Sequence, residues 1–194
     1  RAFHSEFHPS EPVNLMLKIN KSGLSSDDTL AAFKQLSDSV KSKLKIRTKY
    51  KKEIAISGYL EDRHLLSLMS KCQCFVMPSF GEAWCIPALE SMAIGMPVIY
   101  TGNTGMDDFC HGWKVESEAK SCYNATDSLD YMYTSHTKWM EPSIEHLASA
   151  MRVAYETYKN DKEKYDLICA DAQLKAENYS NMRVGRRLKE LLYE

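Results

Sequence analysis

No apolar run in the sequence approaches the roughly 18 residues that a membrane-spanning helix needs. Neither sign of charge is in excess. Lys and Arg number 25 against 26 Asp and Glu, a net charge of −1, so no global charge argues for nucleic acid or an acidic partner. The six cysteines (Cys72, Cys74, Cys85, Cys110, Cys122 and Cys169) fit no zinc spacing, and Cys72-x-Cys74 alone is a weak signal. They read as free thiols in a reducing compartment. The start of the chain, Arg1-Ala-Phe-His-Ser-Glu-Phe7, is amphipathic and unlike a secretory leader, so a cytoplasmic location is expected. The sequon Asn124-Ala-Thr126 then reads as chance. The six histidines have no ligand spacing, and no metal site is expected. A Ser-His-Asp order, a Gly-x-Ser-x-Gly elbow and a Walker loop are also missing.

What is present is an ordinary globular composition, 44% hydrophobic and 26% charged over 194 residues. One stretch, residues 74–105, organises the rest. Phe75 to Met77 is a short apolar run that Pro78 ends. Pro and Gly keep residues 79–86 from being regular. Pro87 suits a first helical turn, where its missing N–H costs nothing. Ala88, Leu89, Met92 and Ala93 repeat at helical spacing, and Gly95 and Pro97 stop the helix. Val98-Ile-Tyr100 is the next strand, followed by a Gly-rich turn to Gly105. Glu82 falls on the loop, and Glu90 is expected in the first turn of the helix.

Other segments repeat this alternation. Residues 13–19 read as a strand, and Ser26 or Asp27 as the cap of a helix with Leu30, Phe33, Leu36, Val40 and Leu44 inward. Residues 53–57 form another strand, then a helix with Leu65, Leu66, Leu68 and Met69 inward. Residues 106–109 read as a helical turn and 112–115 as a short strand. Residues 116–138 lack periodicity and are expected to be an irregular insertion. Three helices close the chain, the last with Val184, Leu188, Leu191 and Leu192 inward. Between Lys41 and Lys52 lie seven Lys or Arg residues, a nucleic-acid or anionic-membrane patch or else a solvated face, of which the solvated face is preferred. Alternating strands and helices mean an α/β fold with a doubly wound, Rossmann-like parallel sheet.

In such sheets ligands bind beyond the carboxyl ends of the strands. The loop at residues 79–86 precedes a helix N-terminus, so its N–H groups and the helix dipole favour a phosphate. Glu82 can accept hydrogen bonds from hydroxyls, and Glu90 from a diol lying over the helix start. A nucleotide sugar has such groups in that order. Taken singly, each residue also has a plain reading. Glu90 can be a dipole partner, Glu82 an exposed loop acid, and Phe80 and Trp84 rim or core aromatics.

The frame of Pro78-Ser79, Glu82, Pro87, Glu90, Met92-Ala93, Gly95 and Pro97-Val98 resembles the Glu-x7-Glu hallmark of retaining glycosyltransferases of the GT-B fold, family four. The likeness is strong over about a third of the chain, centred on residues 53–115. It implies that this is a C-terminal, donor-binding half. Glu82 would hold the donor sugar at the reacting centre, and is the catalytic candidate. The backbone at Ala83, Trp84, Cys85 and Ile86 would contact sugar and diphosphate. Glu90 would bind the ribose, and Gly58, Tyr59 and Leu60 would receive the base. A nucleotide-diphosphate sugar is the expected donor, with no metal or other cofactor and no nucleic-acid partner. The acceptor would be a sugar, lipid or protein. Ala83 stands where the family usually has Gly, and Trp84 where Phe is common.

The resemblance also implies a family strand and a basic Arg/Lys phosphate loop ahead of Arg1. It therefore leads to the expectation of a sheet with a gap or an unpaired edge, completed by another segment or chain. An acceptor-binding N-terminal domain is expected upstream, with peripheral membrane contact through that part. Domain limits of 1–178 and 179–194 follow, the second a helix that packs back on the upstream domain. The chain alone is expected to be inactive. Two other readings stand beside this one: a catalytically inactive nucleotide-sugar-binding or scaffold module, and a sugar-nucleotide epimerase of related fold.

Overall fold

The computed structural model describes residues 1–122 and 136–193. The chain divides into two compact units, Arg1–Ser67 and Leu68–Glu194. Its parallel strands form two ladders, one in each unit.

The first unit contains α1 (Ala2–Glu6), β1 (Met16–Ile19), α2 (Ser26–Leu44) and β2 (Ile54–Ser57); the division falls within α3 (Asp62–Met69). β1 and β2 pair in parallel, from Met16 opposite Ile54 to Ile19 opposite Ser57. The cap of α2 is Ser25 rather than Ser26 or Asp27. Its side chain accepts from the Asp28 N–H, which the extended backbone at residue 25 puts within reach. Leu30, Phe33, Val40 and Leu44 are half-buried, but Leu36 is exposed, so the inward face of α2 is narrower than the apolar spacing implies. Leu66 on α3 is likewise exposed while Met69 is buried.

A polar knot joins α1, α2 and β2. Glu53 is met by His4 Nε2 at 2.6 Å, Ser37 Oγ at 2.6 Å and Lys41 Nζ at 2.5 Å. Several cations of the basic run are therefore structural. Besides Lys41, the Arg47 guanidinium donates to the carbonyls of Phe7 and Ser5, and Lys51 donates to that of Glu11. The solvated-face reading is right only for the remainder. The pattern is that of a stitch holding the N-terminal segment to α2 and β2.

The second unit is built on the parallel ladder β3 (Phe75–Met77), β4 (Val98–Thr101) and β5 (Gly112–Val115), in that spatial order. β4 is buried along its whole length, as the centre of a covered parallel sheet must be. α4 (Ile86–Ala93) packs on β3 and β4 and against α6 (Lys162–Glu177), which in turn meets α5 (Ile144–Asn160). Ala88, Met92, Val98, Met106, Phe109, Ala172 and Ala176 form the core between them. α4 ends where Gly95, at φ +79, turns back and Met96 N–H reaches the Ser91 carbonyl at 2.9 Å.

Three expectations need correction here. Residues 116–138 are not wholly irregular. β6 (Ser117–Ser121) pairs antiparallel with β7 (Lys138–Pro142), while residues 123–135 of the expected insertion lie outside the described residues. Glu90 is not in the first turn of α4, because the helix starts at Ile86, one residue before the proline. The apolar residues of α7 (Asn181–Tyr193) are not buried: Val184, Leu188, Leu191 and Leu192 are all at least half exposed. Their i, i+4, i+7, i+8 spacing makes one stripe, but no described residue of the chain buries it. No described helix is long and apolar enough to cross a membrane.

Candidate functional site

Two hollows lie at strand ends, one in each unit. In the first unit a cavity of about 190 Å³ is lined by Asn20, Lys21, Leu24, Ser26, Thr29, Ser57, Gly58 and Tyr59. It sits at the carboxyl ends of β1 and β2 and at the first turn of α2. Gly58 has φ +88, a left-handed value that suits glycine. Its N–H donates to Asn20 Oδ1 at 3.1 Å, and a Cβ there would come 2.8 Å from Ser26 Oγ. Tyr59 is 85% exposed. Leu60 is half-buried beside it.

The second unit holds the residues of the organising stretch. The loop ahead of α4 is fixed from behind. Gly105 N–H, after β4, donates to the Glu82 carbonyl at 2.9 Å. The two loops approach so closely that a Cβ on Gly105 would lie 2.3 Å from the Ala83 carbonyl oxygen. Thr104 caps the 3₁₀ turn Gly105–Asp108 and its hydroxyl donates to the Thr101 carbonyl at 2.9 Å. Trp84 packs against Phe109 at 4.4 Å and Tyr179 at 4.8 Å between ring centroids, so its ring is anchored although 41% of the residue is exposed. This agrees with the plain reading of Trp84 as a rim aromatic.

The front of the loop is left open. The N–H groups of Glu82, Ala83, Trp84, Cys85 and Ile86 donate to no acceptor among the described residues. Cys85, the N-cap, makes no side-chain cap, and Pro87 follows at the start of the helix. A helix start that lacks a capping side chain keeps its positive end available for an anion. The Glu82 and Glu90 carboxylates make no hydrogen bond or ion pair among the described residues either. Glu82 is half-buried and Glu90 exposed. Burial first, and then the nearby Glu82 charge, push the Cys85 thiol pKa upward, so that thiol stays protonated.

A cavity of about 400 Å³ opens beside Glu82, lined by Phe80, Gly81, Asn103, Thr104, Cys122, Lys138, Trp139 and Met140. The β6–β7 hairpin forms one wall. Met140 N–H donates to the Phe80 carbonyl at 2.7 Å, and the Phe80 and Trp139 rings stack at 4.9 Å. Asn103 adopts φ +58 and is held by the Asp107 carboxylate and by Ser117 Oγ. Sequence reasoning missed Asn20, Ser26 and Thr29 in one unit and Asn103, Lys138 and Trp139 in the other. The Asn103-Thr104-Gly105 run after β4 was a faint signal for Asn103; nothing in the spacing pointed to Lys138 or Trp139. Among the described residues no group of three or more His, Cys, Asp or Glu side chains is placed to hold a metal.

Residues 33–125, just under half of the chain, match the sequence model of the family Glycosyl transferases group 1. The matched span includes the Gly58 turn, the Glu82 loop, α4 and the loop after β4. No curated protein matches the chain. Among solved structures, that of Anabaena Alr3699/HepE in complex with UDP is similar with a TM-score of 0.60 at 14% identity, over 94% of this chain and 41% of that one. The GtfA/B complex is similar with a TM-score of 0.54 at 13% identity, over 95% of this chain and 36% of that one. At these identities the likeness is one of fold. The chain thus spans about 41% and 36% of the lengths of these two relatives.

Proposed function

We propose that the chain is the donor-binding half of a retaining glycosyltransferase of the GT-B fold, family four. It would bind a nucleotide-diphosphate sugar and serve transfer of a hexosyl group to a sugar, lipid or protein acceptor. One observation carries this reading. A row of five N–H groups, from Glu82 to Ile86, unengaged among the described residues, opens at the start of α4, and the Glu82 and Glu90 carboxylates are likewise unengaged among the described residues. A diphosphate needs N–H donors and a positive helix end. The hydroxyls on either side of it need acceptors, and ionised carboxylates accept without competing as donors.

In this reading Glu82 accepts from the sugar hydroxyls and holds the anomeric carbon at the reacting centre. The N–H groups of Ala83, Trp84, Cys85 and Ile86 take the diphosphate as it leaves with its negative charge, so stabilisation grows in the transition state. Glu90, one turn along α4, accepts from the ribose diol. Gly58, Tyr59 and Leu60 receive the base through main-chain bonds, a role that the small hollow of the first unit supports. Retention would follow from attack on the face the leaving group departs from. No step in this reading calls for a metal. The family match over residues 33–125 and the UDP held by the similar Anabaena structure support the donor class. The acceptor-binding domain, contact of the α7 stripe with it and a cytoplasmic location belong to the same proposal.

The test is calorimetric titration of the chain with UDP, GDP and their sugars. Loss of a carboxylate accepting two hydroxyls removes charge-assisted hydrogen bonds of about 1.5–3 kcal/mol each, less what water restores. Glu90→Ala should therefore weaken nucleotide binding about 10- to 100-fold. Unchanged affinity would remove Glu90 from the ribose site.

A further inference from the structure

The β6–β7 hairpin brings to the Glu82 cavity a charge that the nucleotide-sugar reading does not use. β7 is pinned there by the Met140 N–H to Phe80 carbonyl bond at 2.7 Å and by the stack of Trp139 on Phe80. Pairing continues past the ladder to the cavity edge, where Cys122 N–H donates to the Thr137 carbonyl at 3.0 Å. Lys138 is thus held on a fixed strand end and lines the cavity together with Glu82, Asn103 and Thr104.

The other lysines nearby are already engaged. Lys120 pairs with Glu141 at 3.2 Å and Lys114 with Asp107 at 2.7 Å. Lys138 has no ion pair or hydrogen bond among the described residues, and it is not paired with Glu82. A cavity for a neutral sugar needs only hydroxyl partners, which Glu82, Asn103 and Thr104 supply. The ionised Glu82 would repel a negatively charged ligand. A lysine in the same lining offsets that repulsion and favours an oxyanion. About 400 Å³ is room for a hexose with a charged substituent.

We propose that Lys138 is a donor-binding residue that binds a negatively charged oxygen of the donor in this cavity. The inference rests on the nucleotide-sugar reading. Two parts of a donor carry such an oxygen: the carboxylate of a uronic sugar and the diphosphate itself. Phe80 and Trp139 are positioning residues that hold the lysine's strand against the Glu82 loop.

The test titrates the full chain, wild type, Lys138→Ala and Lys138→Arg, with UDP, GDP, UDP-glucose, UDP-glucuronate, GDP-mannose and GDP-mannuronate. Lys138→Ala should weaken binding about tenfold or more, the value of one charged hydrogen bond, and Lys138→Arg should restore most of it. Weakening confined to the uronates assigns the sugar carboxylate. Equal weakening of every ligand, free diphosphates included, assigns the phosphate. Wild-type binding that Lys138→Ala leaves within about twofold across the panel overturns the inference and leaves the nucleotide-sugar reading standing. Failure of the wild type to bind any of the six overturns both.

Discussion

Glu53 shows how a few residues decide the behaviour of the first unit. Its carboxylate is buried, which alone would raise its pKa, yet hydrogen bonds from Lys41, Ser37 and His4 bring it down to about 2. At neutral pH Glu53 is therefore ionised and can only accept, so His4 donates through Nε2–H. Burial lowers the pKa of His4 despite the opposing pull of Glu53, which keeps its ring neutral. Both shifts have the same sign. A group with a depressed folded pKa contributes stability above its unfolded pKa and loses it as the pH falls through the folded value. The Glu53 contribution should be complete above pH about 4.5 and fade toward pH about 2. Glu53→Gln leaves the half-buried Lys41 without its charged partner and should cost about 3 kcal/mol at pH 7. Urea denaturation of the first unit's transition at pH 7 and pH 3 measures both effects, with a smaller cost expected at pH 3. An equal cost at both pH values would contradict the role given to the ionised carboxylate.

At the scale of elements, the decisive contact joins the loop after β4 to the loop before α4. Gly105 is a glycine because the Ala83 carbonyl occupies the place of a side chain. Gly105→Ala should push the two loops apart, cost roughly 1–3 kcal/mol as other forced contacts do, and weaken nucleotide binding. Thermal unfolding and titration of that variant check the two effects together; wild-type values in both would contradict the packing described. Much of this element was legible in the sequence. Pro78, Pro87, Gly95 and Pro97 act through backbone geometry, which is local, so the order strand, loop, helix, strand followed directly. The start of α4 was misplaced by one residue because Pro87 tolerates the first or the second helical position equally. β6 was missed for a physical reason. Ser117 to Ser121 is polar except for Ala119 and fully buries neither face, so it shows no apolar period of two. Leu36 and Leu66 were placed inward because an apolar residue at helical spacing says what a face can bury, not what lies opposite it.

For the molecule as a whole, the α/β class followed from alternation, but the grouping of strands into one ladder per unit did not. Nor did the gathering of Lys138 and Trp139 beside Glu82, which depends on a pairing across more than fifty residues. Periodicity is local, whereas a cavity is assembled by chain return. Glu82 and Glu90 were singled out only through the surrounding frame of Pro, Ser, Gly and Ala. The structure adds that both carboxylates, and the N–H row between them, are unengaged among the described residues. Glu82 is half-buried and Glu90 exposed, so this set of idle polar groups at the start of α4 is open to a ligand and is the central feature.

The most direct measurement is a two-dimensional amide NMR titration of the chain with a nucleotide-diphosphate sugar. The N–H signals of Ala83, Trp84, Cys85 and Ile86 should move together and saturate with one affinity, and Glu90→Ala should shift the midpoint to higher ligand concentration. Saturable binding that leaves those four signals in place and moves others would contradict the assignment of the diphosphate to the start of α4.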